Sequence, residues 1–323
     1  MLVILSLIEA RREKADKGKM FALALFSTAL LGFISSTNPI QLFFFLELML
    51  LPSFYLIFRE DRDAAFKYFA YMQVSSVLVL AGLVSAGKAG ILLLNLGFAI
   101  KMGLFPFHSW LPDAHSQAPH YFSPLLSGAV VACGAFGIYR FSQPHPFLPL
   151  LGFVSACYGA LIAREERDIK RILAYSTISQ MGYAAIALYF APDALILFLV
   201  AHALAKASLF YAAGRIIEET GMRVMQTIRI SSLTLLSAIM LSSLGLSGFP
   251  PLLNFFAELS IVSSLPFYFV PLFLLPLFLT ILYTERFLKF GLYRGGRKVE
   301  DPVPLLPALL LLSGVLMWTR YLP

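Results

Sequence analysis

The chain of 323 residues is 59% hydrophobic and 13% charged, about half the charged share of an average soluble domain. Its mean hydropathy is +0.79, which excludes soluble, disordered and collagen-like chains and leaves a polytopic membrane protein. The formal net charge of +7 calls for no nucleic-acid partner, because Lys and Arg concentrate in the cytoplasmic loops of membrane proteins.

Residues 1–19 place an apolar run ahead of the charges, the reverse of a signal peptide. At roughly 1.5 Å per residue that run is too short to cross a bilayer. It reads as a cytoplasmic or interfacial segment. Apolar stretches of helix-spanning length follow. They give eleven candidate spans, at 20–37, 40–58, 67–86, 89–105, 122–140, 147–163, 171–190, 194–213, 231–263, 266–287 and 303–320. The fold class expected is an all-α membrane protein embedded in a lipid bilayer. Residues 20–140 and 141–287 form two five-helix repeats, 288–302 a cytoplasmic loop and 303–323 a final helix. With the N-terminus inside, 20 of the 25 basic residues fall in alternate, cytoplasmic segments, a strong positive-inside signal. The expected location is the cytoplasmic membrane.

Two spans differ from the rest. The fourth runs into Pro106 and a loop through Pro119, and the ninth carries Gly248-Phe249-Pro250-Pro251 at its middle. Proline removes a helix hydrogen bond, so both read as broken helices. Broken helices are tolerated at membrane depth where they line a cavity or are buried in protein. Lying five spans apart, they cross in opposite directions, the pattern of an inverted repeat. Two ordinary kinks are the plainer alternative.

Five titratable residues fall inside apolar stretches: Glu47, Lys101, His202, Lys206 and Glu258. A charged side chain at mid-bilayer costs about 2.5–3.5 kcal/mol even on lenient scales, so several must face one another or water. Lys101 could instead snorkel, His202 could be a satisfied core histidine, and Glu258 could be a helix-end acid. His202 and Lys206 are four apart and share a helical face. Together the five read as a polar line through the protein centre, suited to relaying protons and equally to passing sodium. Cys133 and Cys157 form no C-x-x-C pattern, and there is no phosphate-binding glycine loop. No cofactor and no metal are expected.

The stretch IKMGLFPFHSWLPDAHSQAP and the following SPLLSGAVVACGAFGIYRF resemble the antiporter-like subunits of respiratory complex I. The same family includes subunits of multisubunit cation/proton antiporters and of membrane-bound hydrogenase and sulfur-reductase complexes. Further similarity lies in FFFLELMLLPSFYLI, DIKRILAYSTISQMGY, HALAKASLFYAAG and GFPPLLNFFAEL, the last closest to the complex I subunit 4 type. The resemblance implies a fourteen-helix family fold whose helices four to fourteen correspond to this chain. It implies that Glu47 and Lys101 form a first half-channel and that His202, Lys206 and Glu258 serve a second. A lysine joining the halves in the family motif is replaced by Ala132 within LSGAVVACG. Ser123, Ser127 and His202 are the polar groups that could bridge that gap with water.

The function expected is ion translocation, H⁺ or H⁺/Na⁺, by a subunit of a redox-driven assembly with other membrane subunits, antiporter-like paralogues among them. A catalytic centre is not expected. Three Asn and six Gln in the whole chain point to a thermophile, which fits an archaeal hydrogenase- or sulfur-reductase-type complex. The alternative is a non-conducting spacer derived from such a pump.

Overall fold

Short polar signals between apolar runs decide where each helix starts. In the computed structural model, which describes residues 1–228, 232–292 and 301–316, Asp16, Asn38, Asp61 and Asp168 each accept a backbone N–H at a helix start. Each cap satisfies donors that the first turn leaves unpaired. Pro39 and Pro192 occupy first-turn positions, where a missing N–H costs nothing.

The helices are α1 (Leu2–Arg12), α2 (Lys17–Ser35), α3 (Pro39–Phe58), α4 (Arg62–Val84), α5 (Gly87–Met102) and α6 (Trp110–Gln117). The short α7 (Ser123–Leu125) widens into a π turn over Leu126–Val130 and continues as α8 (Val131–Phe141). Then come α9 (Leu148–Glu165), α10 (Ile169–Phe190), α11 (Pro192–Thr220), α12 (Leu233–Leu246), α13 (Leu253–Ser264), α14 (Val270–Leu292) and α15 (Leu305–Leu310). Among the described residues there is no strand, only an isolated bridge between Asp168 and Val224.

Among the described residues, seven helical stretches are long and apolar enough to cross a membrane: Lys17–Ser35, Pro39–Phe58, Arg62–Val84, Ser123–Phe141, Leu148–Glu165, Pro192–Thr220 and Phe267–Lys289. Shorter apolar helices cover Leu233–Leu246 and Leu305–Leu316. This is a multi-pass helical membrane protein. Phe21, Leu31, Ile40, Phe44 and Phe278 are exposed on the outside, as lipid-facing residues are. At the centre, α10 packs against α6, α8, α9, α11, α13 and α14. From Ile172 to Leu188 only Tyr175 is not fully buried.

Both expected breaks are present, with the same cap. Gly103 after α5 and Gly248 after α12 take left-handed φ values of +68° and +64°. Behind each, two backbone bonds close a Schellman motif: Gly103 N to Ile100 O and Leu104 N to Ala99 O, then Gly248 N to Gly245 O and Phe249 N to Leu244 O. A proline stands three residues after each glycine, at Pro106 and Pro251. The stretch expected to be a loop through Pro119 contains α6, and the eighth span extends to Thr220 as part of α11. α1 lies along α11, with Ser6 Oγ 2.7 Å from Tyr211 Oη and Arg12 paired to Glu218 at 3.0 Å.

One end of the bundle ties several of the described basic side chains into ion pairs. Lys19 meets Glu60, Arg59 meets Asp16, Lys67 and Arg171 share Asp113, and Arg223 meets Asp168. Arg12 also pairs with Asp301. The expected loop over 288–302 and the end of the helix expected at 303–320 lie largely outside the described residues.

Candidate functional site

Lys101 sits in the last turn of α5, 4% exposed, directly before the Gly103 cap. Its Nζ lies 3.6 Å from Met72 Sδ of α4. Glu47 on α3 is half-buried, with Oε1 buried and unpartnered. Glu47 and Cys133 are the titratable groups facing Lys101, but no Glu47–Lys101 ion pair is closed. Beside them Tyr68 Oη shares a hydrogen bond with Ser53 Oγ at 2.8 Å and its ring meets Trp110 at 5.5 Å.

The second cluster is larger. His202 and Lys206 on α11 are fully buried. Neither ring nitrogen of His202 has a hydrogen bond, although the Ser127 backbone approaches it. Lys206 Nζ donates to the Leu173 carbonyl at 3.1 Å and to Ser176 Oγ. That same carbonyl accepts from Thr177 Oγ1 at 2.9 Å, and Thr177 Oγ1 is 2.7 Å from Ser127 Oγ in the π turn. Two hydroxyls and the shared Leu173 carbonyl therefore link the π turn to Lys206 across α10.

Glu258 on α13 is 4% exposed, with Oε1 unpartnered. Its carboxylate fills the space that a Cβ at residue 248 would need, so Gly248 is required both by its φ and by this close approach. On the helices that meet at this break, Ser242 Oγ, Ser243 Oγ, both amide atoms of Asn254, Gln180 Oε1 and Tyr283 Oη are buried without partners. Tyr283 of α14 shares the neighbour Ser176 with Lys206. Ser176, Gln180 and Thr280 are its polar neighbours, and Glu258 is its charged one. Buried polar groups in folded proteins are almost always bonded to protein or ordered water, so these atoms mark a polar region that water can occupy.

Ala132 is only partly buried and lines an apolar groove of about 280 Å³ with Leu2, Phe33, Phe136, Leu199 and Ala203. Ser127 points the other way, to Thr177, and Ser123 Oγ is occupied by the Pro119 carbonyl at 3.2 Å. The link through Thr177 therefore passes on the far side of the helix from Ala132.

Several polar residues were not singled out in the sequence. His115 on α6 is fully buried with both ring nitrogens unpartnered, stacked on Phe210 at 4.7 Å. Lys170, which reads as one more basic loop residue, is 1% exposed and donates to the Ala118 carbonyl at 2.7 Å. Ser176, Thr177, Asn254 and Tyr283 carried only one available signal, a polar side chain inside an apolar run. Among the described residues no three His, Cys, Asp or Glu side chains converge as a metal site would require.

Apolar helices enclosing two capped breaks, with lysines and acids at their sides, define a polytopic membrane protein with a titratable interior. Residues 84–282 match the family described as NADH:quinone oxidoreductase/Mrp antiporter, TM, and the chain belongs to that family. It is 29% identical to NADH-quinone oxidoreductase subunit N of Desulforudis audaxviator, over 91% of this chain and 69% of that protein. It is 32% identical to subunit M of Escherichia coli, over 61% of this chain and 48% of that protein. The chain thus spans from about half to about two-thirds of these relatives. Its fold is that of a chain in respiratory complex I from Thermus thermophilus, with a TM-score of 0.85 at 24% identity, covering 99% of this chain and 80% of that one.

Proposed function

We propose that this protein is an ion-translocating, antiporter-like subunit of a redox-driven, complex I-related membrane assembly, seated beside other membrane subunits. The observation that carries this reading is the polar file from Lys206 through Ser176 and Tyr283 to Glu258, buried beside a broken helix. An unpaired carboxylate and a cluster of unpartnered polar atoms are too costly to keep in a bundle that only fills space. The identical caps at Gly103 and Gly248 support two inverted repeats, 20–140 and 141–287, within eleven spans. The ion-paired end of the bundle supports a cytoplasmic N-terminus.

Lys101 with Glu47 serves one half of the path, and His202, Lys206 and Glu258 serve the other. The six unpartnered hydroxyl, amide and phenol atoms of Ser242, Ser243, Asn254, Gln180 and Tyr283 suit a proton file through water. The test is Lys206→Gln in the purified native assembly, reconstituted with a trapped pH dye. The expected result is ion uptake reduced at least tenfold with the assembly intact. Wild-type uptake would leave this chain a spacer.

A further inference from the structure

At the ion-paired end a cavity of about 470 Å³ opens between the α1–α2 connection, the end of α6 and the start of α10. Glu13, Lys19, His120, Tyr121, Lys170 and Arg223 line it. Lys19 is tied to Glu60 at 2.5 Å and Arg223 to Asp168 at 2.8 Å. Glu13 and Lys170 share the cavity without forming an ion pair. Lys170 Nζ donates to a backbone carbonyl, and Glu13 Oε1 is buried and unpartnered, as are His120 Nδ1 and Tyr121 Oη. The wall carries both signs, with Glu13, Asp16 and Glu60 beside Lys14, Lys19, Lys170 and Arg223, so it is not built for an anion alone. A space large enough for water, with an uncommitted acid and a buried amine in its wall, suits protons.

The floor leads inward. Lys170 is almost completely buried, and behind it lies His115 with both nitrogens free of hydrogen bonds. The titratable groups facing His115 are Lys170 on the cavity side and Lys206 and His202 on α11. Its ring is therefore the group that stands between the cavity and the buried pair.

We propose that this cavity is the mouth of a proton path into the protein, in which Glu13 collects protons and Lys170 and His115 pass them to Lys206. The proposal rests on the ion-translocating reading above. Each transfer moves one proton: to the Glu13 carboxylate, from the resulting carboxyl to a neutral Lys170 amine, from that ammonium to neutral His115, and from the imidazolium to a neutral Lys206 amine. Burial pushes the Glu13 carboxyl up to about 8, with Glu218 and Glu9 adding to the effect and Lys170 and Arg12 opposing it. Glu13 can thus load and unload at neutral pH.

The test uses the purified native assembly in proteoliposomes with a trapped pH dye. Glu13→Gln and Lys170→Gln should each slow proton uptake about fivefold or more at pH 7. The wild-type rate should fall as pH rises through 8, a limb that Glu13→Gln lacks. Gln117→Cys, on the exposed rim of the same cavity, should pump at the wild-type rate until a bulky cationic thiol reagent is added, and then slow. This variant covers the case in which a buried substitution fails to assemble. Wild-type uptake in both Gln variants and in the modified rim variant, while Lys206→Gln still stops transport, would overturn the cavity as the mouth. Wild-type uptake in Lys206→Gln as well would instead overturn the ion-translocating reading.

Discussion

The two broken helices share a cap but differ in what surrounds them. At the first break Phe105 N donates to Ser155 Oγ at 2.9 Å, Trp110 Nε1 to the Ile100 carbonyl at 3.2 Å, and His108 Nε2 meets Tyr158 Oη at 3.0 Å. That joint is stitched to its neighbours, although His108 Nδ1 keeps no partner. At the second break Glu258, Asn254, Ser242 and Ser243 are buried with free polar atoms. The same backbone device thus serves two ends: one fixes the position of Lys101, and the other holds open a polar region beside Glu258. Polar groups unpaired in the folded state carry a cost of about 1–3 kcal/mol each, and they stand beside the second break.

The largest contrast is expected from the cap glycines. In Gly248→Ala the new methyl meets the Glu258 carboxylate, and in Gly103→Ala it meets the Leu111 side-chain end at 2.7 Å. Both incur the left-handed penalty of about 1–2 kcal/mol, but only the first also displaces a buried carboxylate. Thermal unfolding of the solubilised assembly should show Gly248→Ala lower than Gly103→Ala by several degrees, and equal shifts would erase the contrast.

Two asparagines sharpen it. Asn95 uses Nδ2 on Ile91 O at 2.8 Å and Gln143 O at 2.9 Å, and Oδ1 on His145 N at 3.0 Å. Asn254 has no partner for either amide atom. Asn95→Leu should destabilise by about 1–3 kcal/mol, the cost of stranding bonded groups. Asn254→Leu should leave stability unchanged or raised while lowering ion uptake. Denaturant midpoints and uptake measured on the same preparations check both, and a loss of stability in Asn254→Leu would speak for a structural role.

Much of this was legible in the sequence. The breaks at Pro106 and at 248–251, the burial of Lys101, His202, Lys206 and Glu258, and the shared face of His202 and Lys206 follow from proline chemistry, polar residues set in apolar runs and helical spacing, whereas Glu47 is only half-buried. The surroundings of Ala132 do not. The π turn over Leu126–Val130 holds an extra residue and rotates all that follows, so no uniform helical period places Ala132 in the apolar groove. α6 was hidden because an eight-residue polar helix between prolines reads as a loop. His115, Lys170 and Glu13 act through tertiary neighbours that lie far away in the chain.

A smaller effect concerns Glu13. Its carboxyl is raised in the fold from 4.5 to about 8 by burial. A raised acid favours the folded state fully below its unfolded pKa, and that contribution is lost as pH rises through the folded one. The melting temperature of Glu13→Gln should therefore match wild type near pH 4.5 and exceed it increasingly up to pH 8. A difference independent of pH would show that Glu13 does not titrate in this range.

The proposed ion path runs beside the second break. The most direct measurement is the number of ions transported per electron in the assembled Glu258→Gln variant, whose amide keeps the shape of the carboxyl but cannot carry its proton. The account predicts that this ratio falls while electron transfer and assembly persist. An unchanged ratio would contradict it.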